Sequence, residues 1–556
     1  MSTSCSHHNT YPEAASFRRT PETVMKLSRM GSFHQTRLSF MRVLLRRLRQ
    51  GQWKFKRSAW EIDDEGFGHA VYTIYHLDQS YSLVAFSHEL PDHMRSDRVI
   101  ATAWDATFTL FDGIPESADI ERLSANVPKQ EAGRVSDNEL SLSRANRSVR
   151  LWNHVIDSLA AGAQPGMEQL ESVGYLVRTT AVYGSGKFGA ADRVAISDRR
   201  ELCSPFQAEL LSVWLIRAFS IDLVEHIAKQ KGGSDATVLD PAIRRRIGVG
   251  NSTGLGMAPF LVNHPTLINN WMMAREEAFA RVRSRESASV SEIAEFRTEL
   301  RNAANHVSQW QSDHPLQREK LSALKRDLES LRAYAREGNL NQNYPWDHCY
   351  RWCEQHLSVE AQEYCLSMML EPFGHVVDEL AECMDADEHF HFHINGEMTL
   401  GEVRSIIENQ CQWATAIDFE NPENRARFWY TSAEKLEPRL GERFKEPGSE
   451  YEQPLCIGYY ISKLAQSLRE QPGHIRISDF LLENPQFRHT IRRVQNLQSH
   501  PFAEIQDNLI AKEMLPIDLL RCKLSFFGAT KFDPRSDRWV RICMYQNAPY
   551  PHELLT

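Results

Sequence analysis

The sequence predicts an α+β protein, a predominantly helical body with an early antiparallel sheet and a short β-hairpin near its C-terminus. Three observations predict it. Runs rich in β-branched and aromatic residues gather early, over about 68–111 and 175–197. From 205 onward, apolar residues recur at three- and four-residue spacing. Strands and helices are segregated along the chain, which argues against a doubly wound parallel fold.

The first 60 residues hold twelve Lys or Arg against two acids, Glu13 and Glu22, whereas the whole chain carries a net charge of -9. Within this stretch Leu38, Met41, Leu45 and Leu48 fall at helical spacing among arginines. That pattern suits a helix docked on an acidic body. A targeting segment and an arm for a polyanionic partner are the alternatives.

Three strands follow, at 69–77, 82–88 and 98–111. In the third, Ile100, Thr102, Trp104, Ala106, Phe108 and Leu110 share one face. Polar, turn-rich stretches separate them, as in an antiparallel meander. Residues 140–161 read as a helix and 175–183 as a fourth strand. Helices are expected over 205–231, 265–285, 290–310, 315–337 and 348–370. Prolines at Pro265 and Pro315 suit first helical positions, and Thr399 with Glu402 forms a capping box. Residues 523–527 and 538–545 read as a hairpin around Asp533 and Pro534. The expected domains are 1–60, a sheet region 61–204, a helical region 205–340 and a mainly helical region 341–556.

Several classes are disfavoured. No run of about 18 apolar residues exists, so no membrane-spanning helix is expected. The start lacks the apolar core of a secretory signal. Ten cysteines without a Cys-x-x-Cys pair fit a reducing, cytoplasmic setting. With an acidic body and no nucleic-acid-binding signature, nucleic acid is not an expected partner.

Two glycine-rich segments are the best candidate sites. Gly184, Ser185, Gly186, Lys187 and Gly189 match G-x-G-x-x-G, a spacing that lets backbone N–H groups approach a phosphate. The preceding strand holds Arg178, Thr179 and Thr180, unlike the apolar strand of a dinucleotide fold. An anion-binding loop using Lys187 is the functional expectation, and a plain hairpin connection is the structural one. The second segment, 248–256, has four glycines around Asn251, Ser252 and Thr253. Arg246 precedes it and His264 follows. Here Asn251, Thr253 and Arg246 are candidate ligand contacts, with Ser252, Lys187 and His264 as candidate catalytic groups. The alternative is a polar connection between helices.

Metal binding has two weaker candidates. His389, His391 and His393 alternate, so a strand would place three imidazoles on one face. Cys349, Cys353 and His356 share a helix face. Glu434, Lys435, Glu437 and Arg439 read as a solvated ion-pair surface. Together these features predict an enzyme for a small carboxylate- or phosphate-bearing ligand. A non-catalytic interaction protein using the basic N-terminal segment, and a metal enzyme at the histidine cluster, are the rivals. No motif identifies a cofactor or a reaction type.

Overall fold

The computed structural model describes residues 14–51, 53–91, 104–127, 136–181, 199–252, 260–262, 264–384, 393–421, 424, 427–430, 438–440, 453–454, 457–506, 516–533 and 541–554. The fold is α+β, as the sequence predicts. The chain divides into two compact units. One comprises Met1–Leu38, Gly254–Phe526 and Pro534–Arg538; the other comprises Ser39–Thr253, Phe527–Asp533 and Trp539–Thr556.

The second unit is a curled sheet around one helix. Its strands are β1 (Trp53–Ile62), β2 (Gly68–His76), β3 (Gln79–Ser87), β4 (Ala106–Asp112), β5 (Glu139–Arg147), β6 (Tyr175–Thr179) and β7 (Gly248–Ser252). The helices that matter here are α1 (Phe40–Gln50), α2 (Trp152–Ala160) and α3 (Gln207–Gly232). Every residue of α3 from Gln207 to Ile221 is buried. A helix buried on all sides needs partners all round, and the sheet supplies them. Phe55 of β1 meets Trp214, Phe108 of β4 meets Phe219, and Ser141 of β5 bonds Ser212. Phe206, which caps α3 in a left-handed conformation, wedges its ring against Phe40 and Phe527.

The meander pairs antiparallel from β1 through β6, and β6 then pairs parallel with β7. Three local expectations change. The segment expected as one helix over 140–161 is β5 followed by α2. Leu140 and Leu142 alternate with Ser141 and Ser143, a period-2 signal only four residues long that is followed by the helical spacing of α2. Residues expected as a hairpin strand, 523–527, end a helix, Pro516–Phe527. The closing hairpin is instead Lys531–Asp533 with Arg541–Met544, and it joins the early sheet by pairing with β7.

The second glycine-rich segment begins as β7 rather than as a loop. Its glycines answer to packing: a Cβ on Gly250 would lie 2.8 Å from the Tyr175 ring, and one on Gly248 would lie 2.2 Å from the Met544 carbonyl. Close backbone approach is a standard reason for glycine in a strand.

The other unit is mainly helical. Its principal helices are α4 (Pro265–Arg283), α5 (Val290–Ser308), α6 (Pro315–Arg336), α7 (Pro345–His356), α8 (Val359–Met369) and α9 (Leu400–Gln410). The expected helix over 348–370 is two helices because Ser358 caps α8, accepting from the Ala361 amide. Both prolines sit at first helical positions, and the Thr399–Glu402 capping box forms. A small sheet, β8 (Arg427–Tyr430), β9 (Pro438–Leu440) and β10 (Gln453–Pro454), lies in this unit.

Arginines of the basic N-terminal segment are built into this helical unit. Arg19, 8% exposed, bonds Glu276 at 2.8 Å, Glu363 at 2.7 Å and the Tyr350 hydroxyl at 2.7 Å. Arg29 bonds Glu363 and Arg37 bonds Asp378. The charge that suggested an arm therefore serves, at these positions, a docked segment.

Candidate functional site

The parallel pairing of β6 with β7 brings Thr179 opposite Asn251, so the two strands finish together; residues 248–252 of the second glycine-rich segment are β7 itself. At that end the Asn251 amide, buried, donates to the Thr179 carbonyl at 3.3 Å. The Thr179 hydroxyl and the Thr180 amide both bond the Arg144 carbonyl on β5. Ser252 lies opposite Arg541, the first residue of the strand on the far side of β7.

The described chain resumes at Arg199, whose guanidinium bonds Asp112 at the end of β4 at 3.0 Å; through β5, Thr179 is level with Ala106 at the start of that strand, six residues before Asp112. Glu201 accepts from the Tyr81 hydroxyl at the start of β3. Of the polar groups here, Arg199 and Glu201 had no motif to flag them.

The predicted residues divide as follows. Asn251 and Ser252 stand at this end. Gly184, Ser185, Gly186, Lys187 and Thr253 lie outside the described residues, as do His389 and His391. His393 is exposed. Arg246 precedes β7, at the opposite end of the strand from Ser252; it is exposed and pairs with Glu171 at 3.1 Å. His264 belongs to the helical unit, at the start of α4, its ring 5.0 Å from that of Phe260. Cys349 and Cys353 do share a face of α7, but His356 turns to the Trp352 carbonyl.

The start of β4 and the end of β5, where Arg147 pairs with Val177 of β6, carry a second polar set. His88 lies beside Asp105 and Arg147, and the Arg147 amide bonds the Asp105 carboxylate at 2.9 Å. Burial lowers the His88 pKa against the pull of the Trp104 backbone and Asp105, which keeps the imidazole neutral at pH 7. Its sequence signal was a lone histidine after a strand, which carries no specificity.

A recess of about 330 Å³ opens between β1, β2 and α3. Phe55, Tyr72 and Tyr550 form aromatic walls, with Arg57, Asp222 and Arg244 between them. Asp222 accepts from Tyr72 at 2.7 Å and from Arg57 at 3.1 Å, and Arg244 pairs with Glu225 at 2.6 Å. Burial and the neighbouring Asp222 carboxylate raise the Tyr72 pKa, so the phenol stays protonated.

These features define an α+β protein with a polar sheet end at a parallel strand pair. No protein-family model matches the chain, and no curated protein or solved structure shows significant similarity to it. No helix among the described residues is long and apolar enough to cross a membrane.

Proposed function

We propose that this protein binds a small carboxylate- or phosphate-bearing ligand at the end of the sheet where β6 and β7 finish. The observation that carries this reading is the parallel pairing of Thr179 with Asn251, which sets the strand leading to the first glycine-rich segment beside the second. Ligands of open sheets with parallel strands favour the carboxyl ends of those strands, where topology changes direction. This sheet changes from antiparallel to parallel at that pair. Lys187 is the cation offered to the anion, and backbone amides of the glycine-rich stretch and the Asn251, Ser252 and Thr253 group provide neutral donors. Arg246 and His264 have no part in this reading.

The test is calorimetric titration with inorganic phosphate and with citrate, alongside thermal shift. A charge-assisted hydrogen bond contributes about 1.5–3 kcal/mol, so Lys187→Ala should weaken binding about tenfold or more. The absence of binding by either anion overturns the reading.

A second reading is favoured by the recess, whose volume lies within the ~300–1,000 Å³ usual for ligand pockets. Its aromatic walls suit an anion that also carries a ring. Arg244→Met would then abolish binding while Lys187→Ala leaves it unchanged, so the same titrations separate the two.

A further inference from the structure

Three cysteines that are remote in local structure meet in the core of the helical unit. Cys349 and Cys353 are four apart on α7, so their thiols leave the same face. Cys365 comes from α8, which follows after the break at Ser358. All three side chains are fully buried, and the three sulfur atoms lie within 4.8 Å of one another. The Cys353 and Cys365 sulfurs are 3.7 Å apart.

We propose that Cys349, Cys353 and Cys365 form a binding site for a single thiophilic d10 metal ion. The spacing is the first argument. A metal–sulfur bond of about 2.3 Å requires sulfurs about 3.8–4.0 Å apart, whether the ion is trigonal or tetrahedral. The observed separations span that distance, so an ion enters by small rotamer adjustments and without backbone movement. The donor set is the second argument. Three thiolates and no nitrogen select soft ions, Zn(II) or Cu(I), over hard ones.

Among the described residues the cluster has no fourth Cys, His, Asp or Glu ligand. That suits trigonal Cu(I). Charge favours Zn(II), because three thiolates leave a net charge of −1 around it and −2 around Cu(I), and buried charge is costly. With all three ligands buried, loading accompanies folding of α7 against α8.

The test uses the full chain, reduced and anaerobic. Metal content is measured on purified protein, then Zn(II) and Cu(I) are each titrated in competition with a chromophoric chelator. One equivalent of either ion, lost in Cys349→Ala/Cys353→Ala/Cys365→Ala, is the expected result. Because the triple variant removes core volume, Co(II) substitution of the unaltered protein provides an independent readout. A sulfur-to-cobalt charge-transfer band appears only if the thiolates are ligands. No stoichiometric uptake of either ion, uptake retained in the triple variant, or cobalt bound without that band would each overturn the proposal.

Discussion

Arg217 offers a direct test of how the sheet unit is held together. It sits on α3 with no exposed surface, and its guanidinium bonds the carbonyls of Ile247 at 2.6 Å, Ala548 at 2.9 Å and Arg245 at 3.2 Å. The Tyr550 ring centroid lies 3.9 Å from its Cζ. Burial lowers the pKa of this cation, which works against the charge that makes the bonds strong. Substituting Arg217→Met keeps the stem and removes every donor. The buried Ile247 and Ala548 carbonyls each lose a partner at about 1–3 kcal/mol, whereas the part-buried Arg245 carbonyl keeps its bond from the Asn547 amide. Relief from burying a cation returns part of this. The expected net loss is about 2 kcal/mol, read as a lowered urea midpoint. Because two of the three carbonyls lie on the segment before β7 and the third on the C-terminal tail, proteolysis within 545–554 should accelerate in step. A variant that melts with the parent and keeps its tail protected would refute the argument.

Other expectations are simpler. Gly250→Ala drives a methyl to 2.8 Å from the Tyr175 ring, and overpacking of this kind costs about 1–3 kcal/mol. An unchanged melting temperature would mean that β7 has room and that its glycines answer to something else. Arg19→Met strands Glu276 and Glu363 with fewer cations, and breaking such a buried network costs about 3–5 kcal/mol; denaturant unfolding measures it. Burial pushes the Glu276 pKa up, but Arg19 and Arg275 outweigh it and bring it from 4.5 to about 2. Its stabilisation is therefore present above pH 4.5 and lost as pH falls towards 2, so Glu276→Gln should flatten the acid limb of a stability–pH curve. Glu360 runs the other way. Burial outweighs Arg521 and raises it to about 7, so its contribution is complete below pH 4.5 and declines as pH rises to 7. Glu360→Gln should remove that decline.

Much of the fold was legible where signals are local. Period-2 runs marked β2, β3 and β4, and proline and capping signals marked α4, α6 and α9. β1 escaped because Trp53 and Phe55 alternate with lysines only as far as Arg57, where the register shifts, within a basic stretch. β5 escaped because its alternation, Leu140 to Ser143, is short and is followed by the helical spacing of α2. Of the candidate site, glycine spacing singled out residues 248–256, yet the reason for Gly248 and Gly250 lies in Met544 and Tyr175, far away in sequence. Cys365 could not be joined to Cys349 and Cys353 while α7 and α8 read as one helix. Long-range pairing, such as β7 with 541–544, leaves no mark in any local window.

That last pairing has a consequence for how the protein is made. β7 ends at Ser252 and its antiparallel partner begins at Arg541, 289 residues later. At about 5–20 residues per second, a ribosome needs roughly 15–60 s to deliver the missing strand. Throughout that interval one side of β7 has no neighbour to pair with, and an open strand side invites pairing with other chains. Arg217 also waits for the Ala548 carbonyl until the same moment. A nascent or prematurely stopped chain should thus be a strong client for chaperones, and loss of the last few dozen residues should send the protein to aggregates rather than merely lower its melting point.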